Sequence, residues 1–493
     1  MNTTSNVNPF LTAMHVANTT TLNGLPANSS TGSNLLNMFS KSGAMRNNDE
    51  AEKVNLFAAA YKENPIYALR ALFYARDSRG GQGERDFFRV CLKALAIANP
   101  GMVQSLIHLV PYYGRWDDLF VLFGTPAQAA MISFYSVAIR NGDGLACKWA
   151  PRESSSKDNK DKTEYNIWLL LVRQLGWNQK RYRKHIAEHT KVVEQTMCAN
   201  KWTEINYSHV PSKAHMNYKD AFKKHDETGY ELYINKVLIG DKTVKIHSGQ
   251  LFPHEISAQA LGQEVPTLEA MWNALPDYFG SNAKILPISD VSGSMRVTIG
   301  ISKIKAVDVA IGLGLYCAER NKGPFKDHLI TFADSPGFLQ LKPGSLHNRV
   351  NQVLNMDWGY STDLQAVAEL IGKKAKAEHV EQKDMPEYLL IISDMQFNQA
   401  TGGEVDNASD LLKRVFAKYG YKAPTIVFWN VMDYNNSPAS HDTSGVMLVS
   451  GFSPSILKYI FSGFSEYKEE TPYEAMMKVL NSERYNSING ITN

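Results

Sequence analysis

Residues Ile285 to Met295 read ILPISDVSGSM. An apolar run stops abruptly at Asp290, and Ser292 and Ser294 follow at alternate positions. A short apolar run bounded by turn residues reads as a buried strand, so these three side chains are expected in the loop that leaves its carboxyl end. Two more oxygen donors occupy matching places. Thr362, in GYSTDL, opens a helix, with Gly359 just before it giving the backbone room, and Asp394 closes the apolar run LLIISDM. If the two apolar runs are neighbouring strands, both carboxylates reach one rim of a sheet, where open α/β sheets place their ligands.

Asp290, Ser292, Ser294, Thr362 and Asp394 are all hard oxygen donors, and none is His or Cys. That set disfavours zinc and favours Mg²⁺, or else Mn²⁺ or Ca²⁺. The two carboxylates balance the charge of the ion, and the hydroxyls add donors without charge. Mg²⁺ takes about six oxygens, which leaves a position for water or for an incoming acidic group. Each Asp or Ser taken singly is an ordinary turn or N-cap residue. Three such segments in order, each at a strand or helix end, single out a metal site.

Around these motifs the chain alternates strand and helix. Expected strands are KILPISDV, HLITFAD, GFLQLK, EYLLIISD, TIVFWNVM and GVMLVSGF, with helices such as SKIKAVDVAIGLGLYCAERN and DLQAVAELIGKKAKAE between them. Near-continuous apolar strands separated by helices imply a sheet buried on both faces, an α/β Rossmann-like domain over 281–493. Gly312 and Gly314, in the helix after the first strand, are expected to permit close helix–sheet packing.

Residues 49–280 read differently. AEKVNLFAAAYKENPIYALRALFYARDSRG carries apolar residues at three- and four-residue steps, divided by Pro65 and ended by Gly80-Gly81. Further short amphipathic stretches follow, which predicts an all-α helical-repeat stack of HEAT-like character, ring-shaped if its ends meet. No strict sequence period accompanies the succession of helices. The alternation in YELYINKVLIGDKTVKIHS around Gly240-Asp241 predicts a β-hairpin inserted among them. Residues 1–48, rich in Asn, Thr, Ser and Gly, read as a flexible N-terminal arm, with Phe10, Leu11 and Met14 as a short apolar face.

The chain has 493 residues, 44% hydrophobic and 20% charged, too long for one core and typical of folded domains. The four Cys lack C-x-x-C spacing, so neither a zinc site nor a disulfide framework is suggested, and a reducing compartment, the cytoplasm (of a host cell if the chain is viral), is expected. No signal peptide and no apolar run able to span a bilayer are seen. A net charge of +3 neither requires nor excludes nucleic acid. There is no G-x-S-x-G elbow, P-loop or Cys-His nucleophile arrangement. His185 and His189 lack a third ligand, and His254-Glu255 reads as a turn contact. Trp116 reads as a core aromatic.

Asp290-x-Ser292-x-Ser294, then Thr362, then Asp394 resembles the complete metal-ion-dependent adhesion site of a von Willebrand factor A domain, a likeness that covers roughly residues 282–480. It implies a Rossmann-like domain that binds Mg²⁺ and, in most such domains, another macromolecule. In the first half, ALRALFYARDSRGGQGERDFFRVCL and LVPYYGRWDDLF resemble the helical TROVE module of the Ro ribonucleoprotein family. KWTEINYSHVPSKAHMNYKDAFKKHD and LFPHEI are closer to a Ro-like viral, plant and bacterial branch of unknown function. The order, helical module and then von Willebrand A domain, is that of Ro proteins. The hairpin expected at Gly240 departs from them. The resemblance implies RNA binding, of structured small RNA and of single-stranded RNA ends.

Candidate RNA contacts are visible in the residues themselves. Lys180, Arg181, Arg183, Lys184 and His185 crowd one and a half helical turns with Tyr182 between them, a pattern that meets phosphates and stacks on unpaired bases. Lys148 and Arg152 precede them. Arg76, Arg79 and Arg85 flank the loop Gly80-Gly81-Gln82-Gly83, whose bare backbone is open to a phosphate. Arg79 and Arg85 equally suit ion pairs with Asp77, Asp86 or Glu84. The loop Lys157–Lys162 also holds Asp158 and Asp161 and reads as a solvated face.

The function expected is therefore a non-enzymatic, Ro-like RNA-binding protein whose second domain carries a divalent metal. The alternative is a metal-dependent assembly scaffold, in which the open metal position takes an acidic residue of a partner protein. Catalysis is not expected, because no His, Lys or Glu lies within the metal motifs to act as a base.

Overall fold

The computed structural model describes residues 19–153, 162–279, 284–300, 304–332, 336–356, 362–399, 407–462 and 470–491. Phe10, Leu11, Met14, Lys157, Lys160 and Gly359 lie outside them. The chain forms two compact units, each assembled from separated stretches. One comprises Met1–Asn47, Pro253–Glu264 and Asp277–Val479, and the other Asn48–Phe252, Val265–Pro276 and Leu480–Asn493.

The first unit is α/β. After the paired two-residue strands β1 (Thr19–Thr20) and β2 (Pro26–Ala27), it contains β3 (Ile285–Ser289), β4 (His328–Thr331), β5 (Gly337–Gln340), β6 (Tyr388–Ser393), β7 (Thr425–Asn430) and β8 (Val446–Ser450). The last six form one mixed sheet in the order β5-β4-β3-β6-β7-β8, with β5 alone antiparallel to its neighbour. All six expected strands are present. Every residue of β3, β6 and β8 is buried, as expected of parallel strands covered on both faces.

Chain order diverges between β3 and β6: the chain leaves β3 toward β4 on one side and later returns to β6 on the other. Such a switch point opens a crevice at the carboxyl ends of the two strands.

The helix Ala306–Arg320 packs on β3 and β4. A Cβ on Gly314 would stand 1.9 Å from Oγ of Ser289, so this glycine sets the helix–sheet distance. Gly312 does another job. Its Cβ would meet the backbone of His254 at 2.6 Å, on the helix Pro253–Ala260. His254-Glu255 is thus the first turn of a helix belonging to the α/β unit.

Residues 19–47 are not a loose arm. Helix Asn34–Lys41, capped by Ser33, buries Leu35, Leu36, Met38 and Phe39 and packs on β8. The polar composition of the whole segment conceals four apolar side chains at helical spacing. The domain borders shift accordingly: the α/β unit takes this segment and 253–264, and Leu480–Asn493 belongs to the helical unit.

The helical unit packs sequence neighbours against each other, for example Glu50–Glu63, Pro65–Arg76 and Asp86–Ala98. Asn64 ends the first of these and, through Oδ1, caps the second, whose Pro65 occupies the first helical position. No hairpin stands at Gly240. Tyr230, Tyr233 and Ile234 are buried on one side of the helix Glu227–Leu238, and Gly240, at φ +76°, follows its end. Their i, i+3, i+4 spacing is helical, and it overrides the local alternation.

The C-terminal residues complete this unit. Arg484 pairs with Asp77, Oη of Tyr485 donates to Asp77 Oδ2 at 3.1 Å, and Oη of Tyr113 donates to the Arg484 carbonyl at 2.5 Å.

Candidate metal centre

β3 and β6 run parallel in a register that pairs Ser289 with Ile392, which sets Asp290 and Asp394 one step beyond the two strand ends. The backbone N–H of Asp290 still donates to Ile392 O at 2.9 Å, so the first carboxylate is anchored by the sheet itself. Ser393 Oγ donates to Asp290 Oδ2 at 2.6 Å, and Ser292 N–H donates to Oδ1 at 2.9 Å. Ser292 and Ser294 hydroxyls are 3.1 Å apart, and Ser294 lies close enough to Asp394 to offset part of the rise in its carboxyl pKa. Four of the five expected donors thus form one continuous cluster.

Thr362 joins through the loop after β6. Asn398 Oδ1 accepts from Thr362 N–H at 3.2 Å, and Asn398 N–H donates to Thr362 O at 3.0 Å. Gln396 holds Asp394 in a similar way, with N–H to Oδ1 at 3.1 Å and Nε2 to the Asp394 carbonyl at 3.2 Å. Between them Met395 adopts φ +62°, which is uncommon for a side chain of its size. Ser393, Gln396 and Asn398 were not anticipated from the sequence. Each works by bonding the backbone or carboxylate of a residue elsewhere in the loop system, and neither strand pattern nor spacing signals that.

Asp290, Thr362 and Asp394 are wholly buried, and Ser292 is nearly so. Burial raises the Asp290 carboxyl above its ordinary range, and burial followed by the neighbouring Asp290 charge raises that of Asp394. Among the described residues neither carboxylate has an ion-pair partner. Thr362 Oγ1 and Asp394 Oδ2 are both buried with no hydrogen-bond partner. Orphaned buried oxygens are costly, and Asp394 also neighbours a second carboxylate, Asp290. A divalent cation answers both problems, so the residues fit the ion. No group of three or more His, Cys, Asp or Glu among the described residues suits a metal, and this cluster, with two carboxylates and three hydroxyls, is of the other kind.

The basic candidates in the helical unit divide. Lys180, Arg181, Arg183 and Lys184 are exposed on the helix Gln179–His189, and Arg181 lies 4.8 Å over the Trp177 ring. Lys148 and Arg152 are exposed as well, Lys148 5.9 Å from the Trp149 ring. Tyr182 is not available for stacking: its ring is buried and its hydroxyl donates to Pro151 O at 3.1 Å. His185 is committed to Ile139 O at 2.6 Å, stacks on His189 and meets the Trp177 ring at a tilt.

Arg76 is buried, with Nε 2.7 Å from Asp118 Oδ2, an ion pair rather than a phosphate contact. Arg79 and Arg85 are exposed. The loop between them is closed to phosphate. Gly81, Gln82, Gly83 and Glu84 donate their N–H groups to Asp77, Tyr74, Asp77 and Ala75 carbonyls, and a Cβ on Gly81 would sit 2.0 Å from Tyr74 O. These glycines serve close packing of the chain on itself.

The profile of a family described as a domain of unknown function (DUF7788) matches residues 284–490, a span that contains all five oxygen donors. A second, also described as a domain of unknown function (DUF2828), matches residues 140–277, which include the basic helix. The chain is similar to an uncharacterized protein of Acanthamoeba polyphaga mimivirus, 27% identical over 518 residues that cover 93% of this chain and 86% of that protein.

Proposed function

We propose that the α/β unit binds one Mg²⁺ through Asp290, Ser292, Ser294, Thr362 and Asp394 and uses it to hold an acidic group of a partner macromolecule. The observation that carries this is the pair of buried, partnerless oxygens, Thr362 Oγ1 and Asp394 Oδ2, the second of them on a carboxylate that neighbours Asp290. Two negative charges balance the ion, the hydroxyls are neutral, and a position left in its shell favours an oxygen anion from outside. Both carboxylates serve as ligands of the ion, which leaves only hydroxyls among the five donors. The likeness to a von Willebrand A domain supports the same reading.

The test is titration calorimetry of the full chain with Mg²⁺ after EDTA treatment, followed by partner capture with and without EDTA. Binding of Mg²⁺ that Asp290→Ala abolishes, with partner capture lost in parallel, is expected. A wild-type chain that takes up no divalent ion overturns the reading.

A second reading rests on the helical unit. Lys180, Arg181, Arg183 and Lys184 point to solvent together, and Arg181 stacks on Trp177. We propose that this face holds RNA, in line with the Ro-like order of the two parts. Affinity for a structured small RNA should fall steeply with salt and fall further when Lys180 and Lys184 are reversed to Glu. Equal binding by wild type and the reversed variant overturns it. No helix of the described residues is long and apolar enough to cross a membrane.

A further inference from the structure

The segment just before β2 is built into the loop that carries the metal candidates. Thr21 Oγ1 donates to Phe397 O at 2.6 Å, Leu22 N–H to Gln396 Oε1 at 2.7 Å, and Asn23 Nδ2 to Gln396 O at 2.7 Å. Gln399 N–H returns a bond to Asn23 O at 2.9 Å, and Gly24 bridges Asn398. The turn is tight: Thr21 N–H donates to Leu25 O at 2.8 Å, Leu25 N–H donates to Thr21 Oγ1 at 3.0 Å, and Gly24 sits at φ +89°, a conformation open to glycine. Leu25, wholly buried, pins it from below.

Gln396 and Asn398 each face two ways. Gln396 gives both of its nitrogens to Asp394 and its side-chain oxygen to Leu22. Asn398 exchanges bonds with Thr362 and bridges Gly24. Asp394 and Thr362 are the two residues with partnerless oxygens. Both are therefore positioned by a loop whose other side is held by residues more than 370 positions away in sequence.

We propose that Thr21–Gly24 is a latch that positions Asp394 and Thr362 for the cation, so that its docking and metal binding are coupled. This rests on the metal-binding reading above. Coupling is reciprocal: a latch that improves the site is itself held more firmly when the ion is bound. Thr21 is a positioning residue, acting through the Phe397 carbonyl.

The experiment uses the full chain. Hydrogen exchange of the peptide covering Leu22 to Leu25 is followed with and without saturating Mg²⁺, and Mg²⁺ affinity is measured for wild type, Thr21→Val and Thr21→Ser. The expected result is slower exchange with Mg²⁺, about tenfold weaker affinity in Thr21→Val, and near wild-type affinity in Thr21→Ser, which keeps the hydroxyl. Thr21→Val removes the hydroxyl's bonds to Phe397 O and Leu25 N–H and should melt somewhat lower in EDTA, so the deciding reading is its loss of Mg²⁺ affinity relative to Thr21→Ser. Should its melting midpoint drop while Mg²⁺ affinity stays the same, the contact is structural only and the latch is overturned. Mg²⁺ binding with no change in exchange and no change in Thr21→Val affinity also overturns the latch but leaves the metal reading intact. Absence of Mg²⁺ binding by wild type overturns both.

Discussion

The hydroxyl of Ser393 donates to Oδ2 of Asp290 at 2.6 Å, so the residue that ends β6 orients the carboxylate that follows β3. Strand pairing alone brings Asp290 and Asp394 to one rim. The Ser393 bond fixes which oxygen of Asp290 remains turned toward Ser292, and it ties the geometry of one motif to the backbone of the other.

If these carboxylates hold a cation, the ion stabilises the folded chain by mass action. At a Mg²⁺ concentration about one hundred times the dissociation constant the gain is about 2.7 kcal/mol. That raises the melting midpoint of the α/β unit by roughly 5 °C or more. Scanning calorimetry in EDTA and in Mg²⁺ should show the rise for wild type and no rise for Asp290→Asn. In EDTA the Asn variant should melt no lower than wild type, because it removes one of two facing buried charges.

Gly312 and Gly314 are two positions apart but differ in what crowds them. A Cβ at 314 meets the rotatable hydroxyl of Ser289, whereas one at 312 meets the backbone of His254. Gly314→Ala should cost about 1–3 kcal/mol, and Ser289→Ala should restore part of it. Gly312→Ala should cost at least as much, with no side-chain truncation at His254 restoring it. Urea midpoints of the singles and the Gly314→Ala, Ser289→Ala double variant decide this.

The sequence was most legible where a function-bearing residue ends a regular pattern. Asp290 and Asp394 each terminate an apolar run, and the parallel register of β3 and β6 then had little freedom. It was least legible where contacts are long-range. Thr21 and Phe397 share no local pattern, and a polar-rich composition masks the buried face of Asn34–Lys41. Charge was visible at Arg76 but its burial was not, because Asp118, its partner, lies 42 residues on. At Gly240 the eye follows alternation, but three buried side chains at helical spacing decide the conformation.

Arg76 and the basic helix should respond oppositely to mutation. Asp118 is fully buried and held below the ordinary carboxylate range by Arg76 and Arg89, against the opposing effect of its burial. Arg76→Ala leaves that charge with one cation fewer and should destabilise the helical unit by about 3 kcal/mol. Lys180→Glu with Lys184→Glu should change stability by no more than about 0.5 kcal/mol, since both side chains are exposed. Thermal melts separate the two, and an Arg76 variant with native stability contradicts the buried-pair account.

His215 is wholly buried among Phe222, Tyr230 and Tyr233, with Nε2 3.0 Å from the Tyr230 hydroxyl and Nδ1 without a partner. Burial, with a smaller push from His247, lowers its pKa to about 4. The unfolded chain carries that proton from about pH 6.5 downward, and the folded chain resists it until about pH 4. Between those values the unfolded state binds more protons, so stability rises with pH and is lost as pH falls. The full swing amounts to about 3 kcal/mol. Urea unfolding of wild type from pH 7 to pH 4 should therefore show a steady loss of stability. His215→Gln, which retains a polar group near Tyr230 but has no proton to gain, should start lower at pH 7 and show a shallower slope. Parallel slopes for the two proteins would place the acid sensitivity elsewhere.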